Sequence, residues 1–100
     1  MTPSGEQFQG RPEMRDAMSS YAKACLDLIE DGREQSDFPD PAKYLAQRGV
    51  EASENVQVHH RVQPLGVTPE QITCPDGSWG CIYECREIGE QQHCTYVCHC

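Results

Sequence analysis

The side chains best able to do chemistry in this 100-residue chain are seven cysteines and four histidines. Six of the cysteines crowd residues 74–100: Cys74, then Cys81 and Cys85, then Cys94, then Cys98 and Cys100. Thiols at this density admit disulfide bridging, metal ligation or nucleophilic catalysis. Spacing narrows the choice of scaffold. Positions i and i+4 share a helix face, and positions i and i+2 share a strand face. The spacing therefore predicts a helix carrying Cys81 and Cys85, fastened to a strand carrying Cys98 and Cys100. Between Pro75 and Gly89, Asp76 or Ser78 would cap that helix, with Trp79, Ile82, Tyr83 and Ile88 as its apolar company. A segment this short cannot build a sufficient core, so three bridges would decide whether it folds.

The ordered pattern C…CxxxC…C…CxC resembles that of the cysteine-stabilised αβ family, the defensins and short scorpion toxins. The resemblance covers residues 74–100 and implies bridges Cys74–Cys94, Cys81–Cys98 and Cys85–Cys100. It also implies an antimicrobial or toxin-like module that acts by binding. Trp79, Tyr83 and Tyr96 are the candidate anchors for a protein target.

Metal binding is the competing chemistry. Cys81, Cys85, Cys94, Cys98, His99 and Cys100 form an alternative ligand set, since thiolate and imidazole suit zinc, copper(I) or an iron–sulfur cluster. Neither close cysteine pair has the two-residue gap of a zinc knuckle, and the expectation is no cofactor. Catalysis is weaker still, because nothing in the sequence specifies an oxyanion hole or an orienting third group. Thr68, Thr73, Ser78 and Thr95 are too few to supply a lanthionine ring to every cysteine.

Charge excludes further classes. The formal net charge is −8, against the lysine and arginine surplus that phosphate binding needs, so no nucleic-acid partner is expected. No apolar run is long enough for a membrane span. Residues 1–9 lack the basic start and apolar core of a secretory signal. Dense cysteines without that signal set up a conflict of compartment. Export by a dedicated route, a metal holding reduced thiols in the cytosol, or a signal removed beforehand would each resolve it.

Upstream, residues 1–10 read as a disordered tail. From Pro12, the positions Met14, Met18, Tyr21, Cys25 and Leu28 recur at helical spacing, with Gly32 as the stop. Cys25 lies in this stripe and reads as a buried, inert thiol. A second helix is marked by Asp40 as N-cap, Pro41 at the first position, and Gly49 at the end, with Tyr44, Leu45 and Val50 as its apolar face. Val56, Val58 and Val62 then alternate with polar residues as a short strand ending at Pro64. His59 and His60 point to opposite faces of such a strand, so they read as solvated side chains rather than a metal pair.

The stretch DPAKYLAQRGVEASENVQV resembles the end of nitrile-hydratase-like leader peptides, which precede ribosomally made, modified peptides. This resemblance covers about residues 39–62. It implies recognition of those residues by a maturation enzyme and an exporter, and cleavage within 62–71. The expected architecture is a small α+β chain: a tail (1–10), a helical leader-like region with a short strand (11–62), a linker (63–73) and a cysteine-rich module (74–100). The expected function is that of a precursor of a secreted, cysteine-rich peptide, made in the cytoplasm and exported by a non-classical route. The alternative is a small intracellular metal-binding protein.

Overall fold

A computed structural model describes residues 11–50 and 56–100 of the chain. The expected tail at 1–10 lies outside the described residues. Helix α1 spans Pro12–Glu30, a 3-10 turn spans Gln35–Asp37, and helix α2 spans Pro41–Gln47. Strands β1 (Val56–Pro64), β2 (Cys81–Ile88) and β3 (Gln91–His99) follow. They form one antiparallel sheet in the order β1-β3-β2, with β3 central.

Both helices end by the same device. After α1, Gly32 takes φ +85°, Gly32 N–H donates to the Ile29 carbonyl and Arg33 N–H to the Leu28 carbonyl. After α2, Gly49 takes φ +76°, and the N–H groups of Gly49 and Val50 donate to the carbonyls of Ala46 and Leu45. Glycine reaches this left-handed conformation without the steric cost other residues meet, and the paired bonds satisfy carbonyls left over at a helix end. Leu45 and Val50 belong to one buried cluster, the apolar contact that often accompanies this stop. At the other end of α2, the Asp40 carboxylate accepts from the N–H groups of Ala42 and Lys43. The Asp-Pro start and the Leu-x-x-x-Gly-Val stop thus each have a local mechanical reason.

Alternation gives the sheet two distinct faces. Val58, Val97 and Ile82 lie in one register row across β1, β3 and β2. They pack with Met14, Met18, Tyr21 and Cys25 of α1 and Leu45 of α2. The buried positions of α1 are Met14, Ala17, Met18, Tyr21, Ala22, Cys25 and Leu26, so Leu26 takes the place expected of Leu28. The helix is also pinned along β2 by polar contacts. The Ser19 hydroxyl donates to the Glu84 carboxylate, and the Arg86 guanidinium meets both Asp27 and Glu30.

The helix expected over Cys81 and Cys85 is instead strand β2. A separation of four residues is an even number of strand steps, so i and i+4 share a face in either conformation. The intervening Ile-Tyr and the following Ile88 favour the pleated form. Gly89, with φ +64°, occupies the first of two loop residues between Ile88 and Gln91, where a hairpin turn of type II′ requires it. The expected leader-like strand also joins this sheet, since β1 pairs with β3 along its whole length.

Candidate functional site

The second face of the sheet carries the cysteines. Cys81 faces Cys98 in register, and Cys85 faces Cys94. Both pairs are bridged, with Cα atoms 4.0 and 4.1 Å apart. The third bridge, Cys74–Cys100, ties the loop before β2 to the residue after β3, with Cα atoms 5.7 Å apart. All six expected disulfide cysteines are therefore bridged, and Cys81–Cys98 is the pair the defensin pattern implies. The other two implied pairs are corrected: Cys74 joins Cys100 rather than Cys94, and Cys85 joins Cys94 rather than Cys100. The cause is the strand at 81–88, which places Cys85 directly opposite Cys94 and leaves Cys74 beside the end of β3.

Between the two cross-strand bridges sit Tyr83 and Tyr96, themselves a register pair with ring centroids 5.3 Å apart. The loop 65–80 closes over them. Ile72 packs on both cysteine clusters, the Tyr96 hydroxyl donates to the Glu70 carbonyl at 2.6 Å, and Arg61 pairs with Glu70 at 3.0 Å. Burial raises the Tyr96 phenol above its ordinary range. Tyr83 and Tyr96 are 7% and 1% exposed, so here they form the core of the cysteine face rather than surface anchors. Trp79 is half-buried.

At one end of this face the sulfurs converge. The Sγ atoms of Cys74, Cys81 and Cys100 all lie within 4.8 Å of one another, and Cys98 is bonded to Cys81. Three of these four are nearly inaccessible: Cys74 3%, Cys81 7% and Cys98 3%. A turn positions Cys74: its N–H donates to the Ser78 carbonyl and its own carbonyl accepts from Gly77. Gly80 makes the approach possible. A Cβ there would lie 2.5 Å from the His99 carbonyl oxygen and 2.7 Å from Cys74 Sγ. The alternative ligand set of Cys81, Cys85, Cys94, Cys98, His99 and Cys100 is not gathered at one point. Cys85 and Cys94 stand four strand residues away from Cys81 and Cys98, about 13 Å along the sheet.

On the helix face the structure assembles a group that sequence reasoning missed. His60 and His93 stack with ring centroids 5.1 Å apart, and His60 Nε2 is 3.0 Å from His93 Nδ1. Phe38 meets His60 edge-on. Burial, then the neighbouring His93, lowers the His60 pKa from its ordinary 6.5. His59 is exposed on the opposite face, as the alternation predicts. Beside His60 in register lies Thr95, fully buried, whose hydroxyl has no hydrogen-bond partner among the described residues. The signal was present: His60 continues the even-numbered stripe Val56, Val58, His60, Val62. Its partner on β3 was not visible without the register.

Cys25 is buried and unbridged, and burial pushes its thiol up to about 11. Near it, a groove of about 660 Å³ runs between α1, the 3-10 turn and β1, lined by Tyr21, Phe38, Asp40, Pro41, Val56 and Val58 among others. Among the described residues no helix is long and apolar enough to cross a membrane. No family model, curated protein or solved structure matches the chain.

Proposed function

We propose that this chain is the precursor of a ribosomally made, secreted, cysteine-rich peptide whose C-terminal module binds a protein target. One observation carries the reading: every bridge closes within residues 74–100, with separations of 26, 17 and 9. A cut in the exposed stretch Leu65–Thr68 therefore leaves the covalent framework whole. On the chain-entropy estimate the three bridges contribute about 3.5, 3.1 and 2.6 kcal/mol. These are single-bridge values and do not simply add, because the three loops are nested, yet each is a sizeable fraction of the about 5–15 kcal/mol that holds a whole domain folded.

In this reading residues 11–62 are both leader and template. Strand β1 and helix α1 hold β3 in the one register that sets Cys81 against Cys98 and Cys85 against Cys94. Cleavage then uncovers Ile82 and Val97, which α1 buries in the uncut chain, as an apolar face for the target. Asp40, Pro41, Val56 and Val58, which line part of the groove, belong to the stretch that resembles a leader, which supports recognition of residues 39–62 by a maturation enzyme and an exporter.

The test uses oxidised full-length chain cut within residues 65–73. Each bridge removes two hydrogens, and the C-terminal fragment should carry all three bridges. The N-terminal fragment should separate from it on a denaturing gel without reductant. Full-length chain should also oxidise to one isomer more cleanly than the isolated 70–100 peptide. Freshly isolated protein with six alkylatable thiols in this segment, or a bridge joining the two fragments, would overturn the proposal.

A further inference from the structure

We infer that the reduced chain binds one zinc ion where the Cys74–Cys100 and Cys81–Cys98 bridges meet, with Cys74, Cys81, Cys98 and Cys100 as its four thiolate ligands. Zinc prefers four-coordinate tetrahedral sites with Zn–S distances near 2.3 Å, which place ligand sulfurs about 3.8 Å apart. The Sγ atoms of Cys74, Cys81 and Cys100 already lie within 4.8 Å of one another. The Cys74 and Cys100 sulfurs, 2.10 Å apart in their bridge, must separate by about 1.7 Å once it opens, roughly 1 Å or less for each if the movement is shared. Cys98, now bonded to Cys81, swings to the fourth corner once that bond opens.

Contacts other than the bridges also gather the sulfurs. Cys74 is fixed by the turn hydrogen bonds to Ser78 and Gly77, and His99 N–H donates to the Gly80 carbonyl at 2.8 Å. Strand β3 is held on its other side by β1 and from above by α1 through Val97. Burial of Cys74, Cys81 and Cys98 supplies the closed surroundings of a structural site, while the exposed Cys100 supplies the entry path. The Cys85–Cys94 pair is too distant to join and belongs to no comparable group among the described residues.

The chemistry balances with a phosphine as the reductant. Each bridge takes up two electrons from one phosphine and two protons from one water as the phosphine becomes its oxide, so opening both bridges consumes two phosphines and two waters. Zinc then displaces the four thiol protons and keeps its own oxidation state. The inference concerns the reduced chain, and the precursor proposal concerns the oxidised one, so either can fail alone.

The experiment titrates cobalt(II) and then zinc(II) into full-length chain reduced with a phosphine under anaerobic conditions. One cobalt per chain should bind, with the charge-transfer and visible bands of a tetrahedral thiolate site, and zinc should displace it. The double variant Cys85→Ser/Cys94→Ser should keep both stoichiometry and spectrum. Cys74→Ser and Cys81→Ser should each weaken binding by more than the roughly 10–100-fold typical of losing an outer-shell partner. Because Cys100 is exposed, Cys100→Ser leaves the core untouched, yet it should reduce the thiolate-to-cobalt band intensity by about a quarter, one ligand of four. Absence of stoichiometric binding, binding lost in the Cys85/Cys94 variant, or a spectrum indifferent to Cys100 would each overturn the assignment.

Discussion

Replacing Gly80 with alanine adds one carbon atom at the place where the loop, β2 and the end of β3 come closest. That carbon would sit 2.5 Å from the His99 carbonyl oxygen and 2.7 Å from Cys74 Sγ. Neither neighbour is the free end of a flexible side chain: one is backbone and the other is locked in a bridge. Overpacking of this kind costs about 1–3 kcal/mol. Separating the two strands also endangers the bond from His99 N–H to the Gly80 carbonyl, worth roughly 1 kcal/mol more. The total of about 2–4 kcal/mol should lower the melting temperature by on the order of 10–25 °C for a chain of this size. Thermal unfolding followed by the near-ultraviolet signal of Trp79 reads this directly, with peptide mapping to confirm that all three bridges are present. The variant can then be repeated in a Cys74→Ala/Cys100→Ala background, where the sulfur contact is gone. The two changes should couple by about 0.5–3 kcal/mol. A melting temperature within about 2 °C of the parent chain, with three bridges intact, would refute the close approach at Gly80.

Three further outcomes follow from the helix face and the buried thiol. The His60 pKa is lowered in the fold by burial and by His93, so the unfolded chain binds the extra proton more readily. The stability linked to a neutral His60 should be complete above about pH 6.5 and be lost as pH falls through the lower folded-state value; melting curves should show this fall, and His60→Gln should diminish it. Cys25, raised to about 11 by burial, should resist iodoacetamide in the native oxidised chain at neutral pH, then take a single label once the chain is unfolded without reductant. Ile82→Ala, at a site 2% exposed under α1, should cost about 2–5 kcal/mol even with every bridge closed; an unchanged denaturation midpoint would mean that α1 does not cover the sheet.

What could be read from residues alone followed local chemistry. Helix α2 was legible because Asp40, Pro41 and Gly49 each satisfy a backbone requirement of a helix end. Strand β1 was legible because Val56, Val58 and Val62 alternate. The cysteine segment was misread at one step, since the Cys81 to Cys85 interval fits both helix and strand, and two of the three pairings implied by the defensin resemblance do not form. The shift from Leu28 to Leu26 reflects a choice between neighbouring positions on α1 that only the position of the sheet settles. The stacked His60 and His93, and Thr95 between β1 and β2, depend on register between strands far apart in sequence. The compact sulfur group at Cys74, Cys81 and Cys100 depends on that same register and on a turn whose glycines gave no sign of what they approached.

Strand β3 carries alternate residues to two chemically opposite surroundings, Val97 to the apolar layer under α1 and Cys94, Tyr96 and Cys98 to the bridged layer. A slip of one residue would exchange these layers wholesale, setting cysteines against Met18 and turning Val97 toward the bridges. In a slipped hairpin no cysteine of β2 meets its partner, so no bridge of this set can close. The two cross-strand bridges are therefore compatible only with the native alignment, and once closed they preserve a record of it.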